Sequence, residues 1–442
     1  MRQSVFLRCV AVCLLLVALC TAVPALFACR VPSGTTAVAA NAPTGDDTLA
    51  AYLRCALMDE TPTVPLDVYA DLTEERIERV YSRLLATDPY LFFVTPTYTL
   101  STRGEGGVPV SLTPTYRYRG AALQAAREHF AARVRAYLDP LPAGAAPLAR
   151  VADLHDRMIL DFTYDEREEV VDPYSLLVGG HGVCQAYSLL FTVLCRAAGI
   201  PAETVTCFER SHAWNQVAIG DAWYHVDLTW DETALPYPGR VPHTYLLLTD
   251  RELAARRSLD DASFVGAVWD APHACDGGSL SSLGLWASTG RGATLDGETL
   301  YFAAEGTVYA LDCRTMTRRT VYRDPDAQKG TSLSVLCPRG DEILCSLTRA
   351  LLTIRPTGGA GNGTGEGSTE TAGGGTTGTA GGGTAGTAGA GTTETAGGRT
   401  DTGSAAEICS LSHALPAGAG VYAGLSLSPG GYPLLTTVAY ID

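Results

Sequence analysis

A thiol, an imidazole and a carboxylate stand in order at Cys184, His212 and Asp227, 28 and then 15 residues apart. Brought together, these groups would be a nucleophile, a proton carrier and the anion that orients the carrier. Those are the parts needed to attack a carbonyl and hold its acyl group as a thioester. A lone cysteine or histidine is more often a core residue than a reactive one. The reading therefore depends on the elements that carry the three.

The run Gly179-Gly180-His181-Gly182 is too rich in glycine to be helical, whereas Gln185 to Ala198 predicts an apolar helix with Leu189, Leu190, Val193, Leu194 and Ala197 inward. That helix ends at Gly199-Ile200-Pro201 and places Cys184 at its N-terminus. There, unpaired backbone N–H groups and the positive end of the helix dipole favour thiolate over thiol. The preceding glycines are expected to admit a substrate backbone closely. Downstream, His212 to Ile219 and Ala222 to Thr229 predict two strands joined by a Gly220-Asp221 hairpin turn. If Ile219 pairs with Ala222, Trp214 faces Asp227 and His212 faces Thr229. His212 and Asp227 are then diagonal neighbours on one face, within reach of a hydrogen bond. Val217, Ile219, Val226 and Leu228 fall on the opposite, core face.

Read as Gly-Val-Cys-Gln-Ala-Tyr, His-Ala-Trp-Asn and Trp-Tyr-His-Val-Asp-Leu-Thr-Trp-Asp, these blocks resemble the transglutaminase-like superfamily. The likeness extends upstream through Leu154-His155-Asp156 and Tyr164-Asp165 and covers about residues 147 to 235. The resemblance implies a papain-like fold, with the cysteine helix against an antiparallel sheet. It also implies roles: Cys184 as nucleophile, His212 as general base and acid, Asp227 as the group that orients the imidazole. Many relatives carry glycine where Ala186 stands. Gln185, Trp214 and Trp230 are expected to line the cleft. Cys195 and Cys207 read as core, His181 as a loop residue or else a lining of the cleft, and His225, on the same face as Asp227, as a satisfied surface or edge histidine or else a support of the site.

Outside this block the sequence predicts an N-terminal α+β region over residues 46–146. Its helices lie near 47–58, 72–86 and 121–138, and its strands near 90–100 and 108–118. A catalytic unit follows over 147–250. From 272 to 442 the texture is β-rich, and strand pairs beginning at Gly297 and Gly340 suggest repeats of the kind found in propeller blades. A Gly/Thr/Ala-rich insertion at 357–404 has almost no apolar bulk and is expected to be disordered. The fold class is α+β: a papain-like catalytic core flanked by an α+β region and a mostly-β domain.

The chain starts with a short basic segment and the apolar stretch Cys9 to Ala28, an export signal spanning 1–28. Leu26-Phe27-Ala28-Cys29 resembles a bacterial lipobox with an unusual Phe27, which would make Cys29 a lipidated first residue. Val23-Pro24-Ala25 is an ordinary small-residue cleavage site, and the apolar run is also long enough to span a bilayer. The lipoprotein form is favoured, which would place the protein at the cell envelope, and every form puts the catalytic domain on the exported side, outside the cytoplasm. Protein or peptide substrates are expected there, cell-wall peptide among them.

A net charge of −15 argues against nucleic acid as a partner. With no C-x-x-C pair, HExxH or EF-hand pattern among its 13 cysteines and other ligands, the chain is expected to need no metal and no cofactor. Arg339-Gly340-Asp341 matches an adhesion tripeptide, but three-residue matches arise often by chance.

Overall fold

The computed structural model describes residues 45–69, 72–104, 107–233, 241–277, 280, 293–304, 306–324, 333–339, 342–347, 350–355, 404–410, 422–427 and 433–437. The expectations for the export signal and Cys29, for residues 357–403 of the Gly/Thr/Ala tract and for Gly340 and Asp341 lie outside them. Among the described residues no helix is long and apolar enough to cross a membrane.

The N-terminal region follows the predicted order. Helix α1 spans Asp46–Met58, strand β1 Val64–Pro65 and helix α2 Glu74–Thr87. The side chain of Thr73 caps α2 by accepting from the Arg76 N–H at 3.2 Å. Strands β2 (Val94–Arg103) and β3 (Val108–Tyr116) pair antiparallel, and α3 (Gly120–Leu138) follows. Helix α4 (Pro147–Asp161) begins on a proline, whose missing N–H costs nothing at that position. The two-residue strand β4 (Thr163–Tyr164), helix α5 (Pro173–Gly179) and strand β5 (His181–Gly182) then lead to α6 (Cys184–Ala197). Here β4 and β5 form a small parallel pair, with Tyr164 opposite Gly182.

Helix α6 is buried along most of its length. Eleven of its residues, Cys184 and Ala186 through Cys195, are buried, and Leu190 and Phe191 are fully so. Each such large apolar side chain stabilises the fold by about 1.5–3 kcal/mol. Gly199 ends the helix at φ +79°, and the Ile200 N–H returns to the Cys195 carbonyl at 2.8 Å. One apolar cluster joins Leu49, Ile77 and Phe130 of the N-terminal region to Leu190 and Phe191, to Val217 and Val226, and to Leu300 and Leu311 further on. The N-terminal region and the cysteine helix thus share a core.

Against α6 lies an antiparallel sheet of order β6-β7-β8-β9, made of Ala202–Cys207, His212–Ile219, Ala222–Val226 and Leu246–Leu248. Ile219 pairs with Ala222 across Gly220, at φ +65°, as the hairpin turn requires. The expected register holds from there to Asn215 opposite Val226 and no further. Strand β8 stops at Val226, and Leu228–Thr233 form helix α7 rather than more strand. His212 consequently does not face Thr229; its partner is Cys207 on β6. The reason is local: Asp227 acts as a helix N-cap, its Oδ1 accepting from the Trp230 N–H at 3.3 Å and the Thr229 hydroxyl at 3.1 Å.

Helix α8 (Asp250–Asp260) follows β9 and opens with a capping box between Thr249 and Glu252. Beyond it come two four-stranded antiparallel sheets. The first, β10-β11-β12-β13, covers Ala293–Asp296, Thr299–Ala304, Thr307–Asp312 and Thr317–Arg323. The second, β14-β15-β16-β17, covers Leu333–Arg339, Glu342–Leu347, Ala350–Arg355 and Ser404–Ser410. A last hairpin joins β18 (Tyr422–Leu427) to β19 (Pro433–Thr437). In each of these two sheets the four strands lie in sequential order. The flanks of the Gly/Thr/Ala tract, β16 and β17, are neighbours in one sheet.

Candidate active site

Cys184 is the first residue of α6 and is 7% exposed. Its N-cap, Val183, is extended and is tied by its N–H to the Val170 carbonyl at 2.9 Å. Gly182 is needed for packing inside the protein rather than for substrate approach. A Cβ there would lie 2.9 Å from the Ala186 methyl and 3.3 Å from both Leu176 Cδ1 and the Val170 carbonyl oxygen. The thiol points at the Ser211 carbonyl, 3.9 Å away. Ser211 itself sits in the left-handed region at φ 47°, unusual for a residue with a side chain, in the turn that delivers His212 to the start of β7.

His212 Nε2 bonds Asp227 Oδ2 at 2.7 Å, which leaves Nδ1 as the ring nitrogen for the thiol. Burial acts to lower the imidazole pKa. The charge and hydrogen bond of Asp227 outweigh it, and Cys184 adds a hydrogen bond and charge, so that it is raised to about 9. Asp227 is 1% exposed. Burial alone would raise its pKa, yet His212 and then Arg257 hold it below the ordinary carboxylate value. Its backbone N–H is fixed to the Tyr245 carbonyl at 3.0 Å, so strand β9's approach sets where the carboxylate sits.

Arg257, on α8, is the residue that the sequence did not reveal. It is completely buried and donates from one terminal nitrogen to Asp227 Oδ2, the same oxygen that His212 holds. Its guanidinium carbon lies 3.9 Å from the ring centre of Trp214, 4.8 Å from that of Phe264 and 5.0 Å from that of Trp230. The region that builds the site therefore runs past residue 250. A signal was present: Leu253, also fully buried, is one helical turn before Arg257 on the same face, after the Thr249-x-x-Glu252 capping pattern.

The other expected residues separate into two groups. Gln185 lines a cleft of about 170 Å³ together with Cys184, Cys207, Ser211, His212 and, from α2, Ala86. Trp214 and Trp230 are instead placed behind the imidazole. Trp214 is 1% exposed, and its ring centre lies 5.6 Å from that of His212; Trp230's is 5.9 Å away. His225 is neither on the surface nor at an edge, since β8 is an inner strand and the residue is fully buried. It accepts the Trp214 Nε1–H at 3.0 Å and pairs through Nε2 with Asp250 at 2.8 Å. The distant Asp250 could not be read from the strand pattern. His181 is exposed beside Gly179, and Cys195 is core as expected; Cys207 is buried too but borders the cleft.

Two groups of metal-ligand type come together among the described residues: His155, Asp156 and His243, and His225, Asp250 and Cys275. In the first, the ligand atoms already bond one another; in the second, His225 bonds Asp250, while Cys275 Sγ accepts from Gln216 Nε2 at 3.1 Å. The Ala293 N–H points at His243 Nδ1 at 3.2 Å, which puts the ring proton on Nε2, facing Asp156 at 2.8 Å. His155 has a carboxylate at each nitrogen, Asp156 at 2.9 Å and Asp231 at 3.1 Å. Burial opposes its charge, but the two hydrogen bonds and anions raise its pKa to about 9. Both of its nitrogens are taken by carboxylates, and through Asp231 it braces α4 against α7.

A cysteine at a helix tip, packed on an antiparallel sheet whose strands deliver an imidazole and a carboxylate, defines the core as transglutaminase-like. Residues 135–228 match the family model of the transglutaminase-like superfamily, so this segment is a transglutaminase-like domain. Among solved structures, the chain is similar to a Cytophaga hutchinsonii protein named as a proposed cysteine protease. Identity is 15% over 31% of this chain and 63% of that one, with a TM-score of 0.19. It is also similar to a chain described as a TGase, at 12% identity over 36% of this chain and 49% of that one, with a TM-score of 0.21. The chain thus spans less than two thirds of the length of either. No curated protein matches it.

Proposed function

We propose that the protein is an exported cysteine enzyme that acts on amide or peptide carbonyls through a thioester, as a peptidase or amidase or as a protein-glutamine transamidase. The observation that carries this reading is the 2.7 Å bond between His212 Nε2 and Asp227, with the imidazole and the Cys184 thiol on one cleft at a helix N-terminus. The thiolate would add to the carbonyl carbon, and the resulting oxyanion would take the Cys184 N–H as one donor. His212 would then pass its proton to the departing amine as the C–N bond breaks, leaving an acyl thioester. Water or a second amine, deprotonated by the same ring, would release the acyl group and restore the thiolate. Hydrolysis and amine transfer share each step up to the thioester.

Export rests on the basic and apolar N-terminal segment, and a lipid on Cys29 would tether the protein to the envelope membrane. Cell-wall peptide offers amide bonds in that compartment. The competing reading is a surface-binding protein that keeps the fold as a scaffold. Wild type and Cys184→Ala, incubated with cell-envelope extract and an amine probe, separate the two by mass spectrometry. Wild-type-dependent cleavage or amine incorporation is expected; neither product appearing would reject the enzyme in favour of the scaffold.

A further inference from the structure

Arg257 has no part in the reaction just outlined, yet it is the most completely enclosed charge near the site. Its Nε and second terminal nitrogen are buried without a hydrogen-bond partner, so Asp227 and three aromatic faces compensate its charge. A cation retained at such cost calls for a reason beyond helix packing. The reason lies in the geometry at one atom. Asp227 Oδ2 accepts from both His212 Nε2 and the Arg257 guanidinium, while Oδ1 is taken by Thr229 and the Trp230 N–H.

We propose that Arg257 is a positioning residue that tunes His212: by sharing Asp227 Oδ2, it pins the carboxylate in place and draws off part of its charge, so that the imidazolium gives up its proton more readily. The inference rests on the triad reading and deepens it. The more tightly a buried carboxylate holds an imidazolium, the weaker an acid the ring becomes near neutral pH. A second cation on the same oxygen lowers that affinity through like-charge repulsion and a weakened hydrogen bond. Other ionisable groups face the pair: Cys184 from α6, Cys207 from β6, His225 from β8 and Tyr245 from the segment before β9. Among these, Arg257 is the permanent cation.

The test is an NMR titration of the His212 ring in the full-length protein, assigned by its loss in His212→Gln, with thermal unfolding measured alongside. In Arg257→Gln the His212 midpoint is expected to rise by about one pH unit above the wild-type value, with Arg257→Lys staying close to wild type. Arg257→Met fills the aromatic cage without needing hydrogen bonds, and it gives the same reading if the glutamine variant does not fold. A midpoint unchanged in the charge-removing variant that folds, with only the unfolding temperature lowered, overturns the proposal and leaves Arg257 as a packing residue. The titration needs no substrate. Failure to find cleavage or amine incorporation would therefore count against the proposed enzyme and not against this coupling.

Discussion

Replacing Asp227 by asparagine removes one negative charge that two cations share, and the cost follows from what is left behind. Arg257 is fully buried, with its remaining nitrogens already unpartnered, so the variant strands a guanidinium among aromatic rings. Breaking a buried pair in this way costs about 3–5 kcal/mol. The second effect is on His212. Its folded-state pKa of about 9 lies above the ordinary 6.5, so the site stabilises the fold fully below about pH 6.5 and loses that contribution as pH rises through about 9. The difference corresponds to about 3 kcal/mol. His155 titrates in the same window with the same sign, so the wild-type curve contains both, and the difference between wild type and Asp227→Asn isolates His212. The assay is urea denaturation at pH 6 and pH 10. At pH 6 the variant should be less stable by about 3 kcal/mol or more, and its further loss up to pH 10 should be smaller than that of wild type by about 3 kcal/mol. The double variant Asp227→Asn with Arg257→Met should recover at pH 6 the part due to the stranded guanidinium, about 3–5 kcal/mol, and leave the His212 part lost. A single variant as stable as wild type, with the same pH dependence, would refute the shared-oxygen account.

Other outcomes follow from the same geometry. Iodoacetamide at pH 6 to 7 should modify Cys184 well ahead of a model thiol, while Cys195 and Cys275, whose burial pushes their thiols up (Cys275 to about 12), stay unlabelled in a peptide map. Labelling no faster than the model thiol would remove the nucleophile. Gly182→Ala should lower stability by about 1–3 kcal/mol in thermal unfolding and slow Cys184 labelling, because its methyl meets Ala186, Leu176 and the Val170 carbonyl; adding Ala186→Gly should restore the labelling rate in part and the stability little. Ser211→Gly should raise stability by about 1 kcal/mol by relieving the left-handed backbone, and an unchanged unfolding temperature would contradict that strain.

The parts of the site that were readable in the sequence are those set by short-range rules. Glycines before Cys184 and Gly199 after it fix the ends of one apolar helix, and a two-residue turn fixes the register of His212's strand. The error at Thr229 came from the same alternation. Asp227-Leu228-Thr229 continues a strand pattern, but the aspartate also caps a helix, and its bonds to Thr229 and Trp230 decide the matter. What stayed hidden depends on partners far along the chain. Arg257 is one of several charges in a polar helix and gains meaning only when Asp227, 30 residues earlier, lies against it. His225 reads as a surface group until Asp250 and Trp214 are seen at its two nitrogens.

Ala86 reaches the cleft from helix α2, nearly a hundred residues before Cys184 and well upstream of the segment that matches the family. The wall of the cleft and the Cys184-His212-Asp227 cluster are therefore written on different stretches of the chain. A larger side chain at that one position would narrow the cleft without touching sulfur, imidazole or carboxylate, so its shape can drift while that cluster stays fixed.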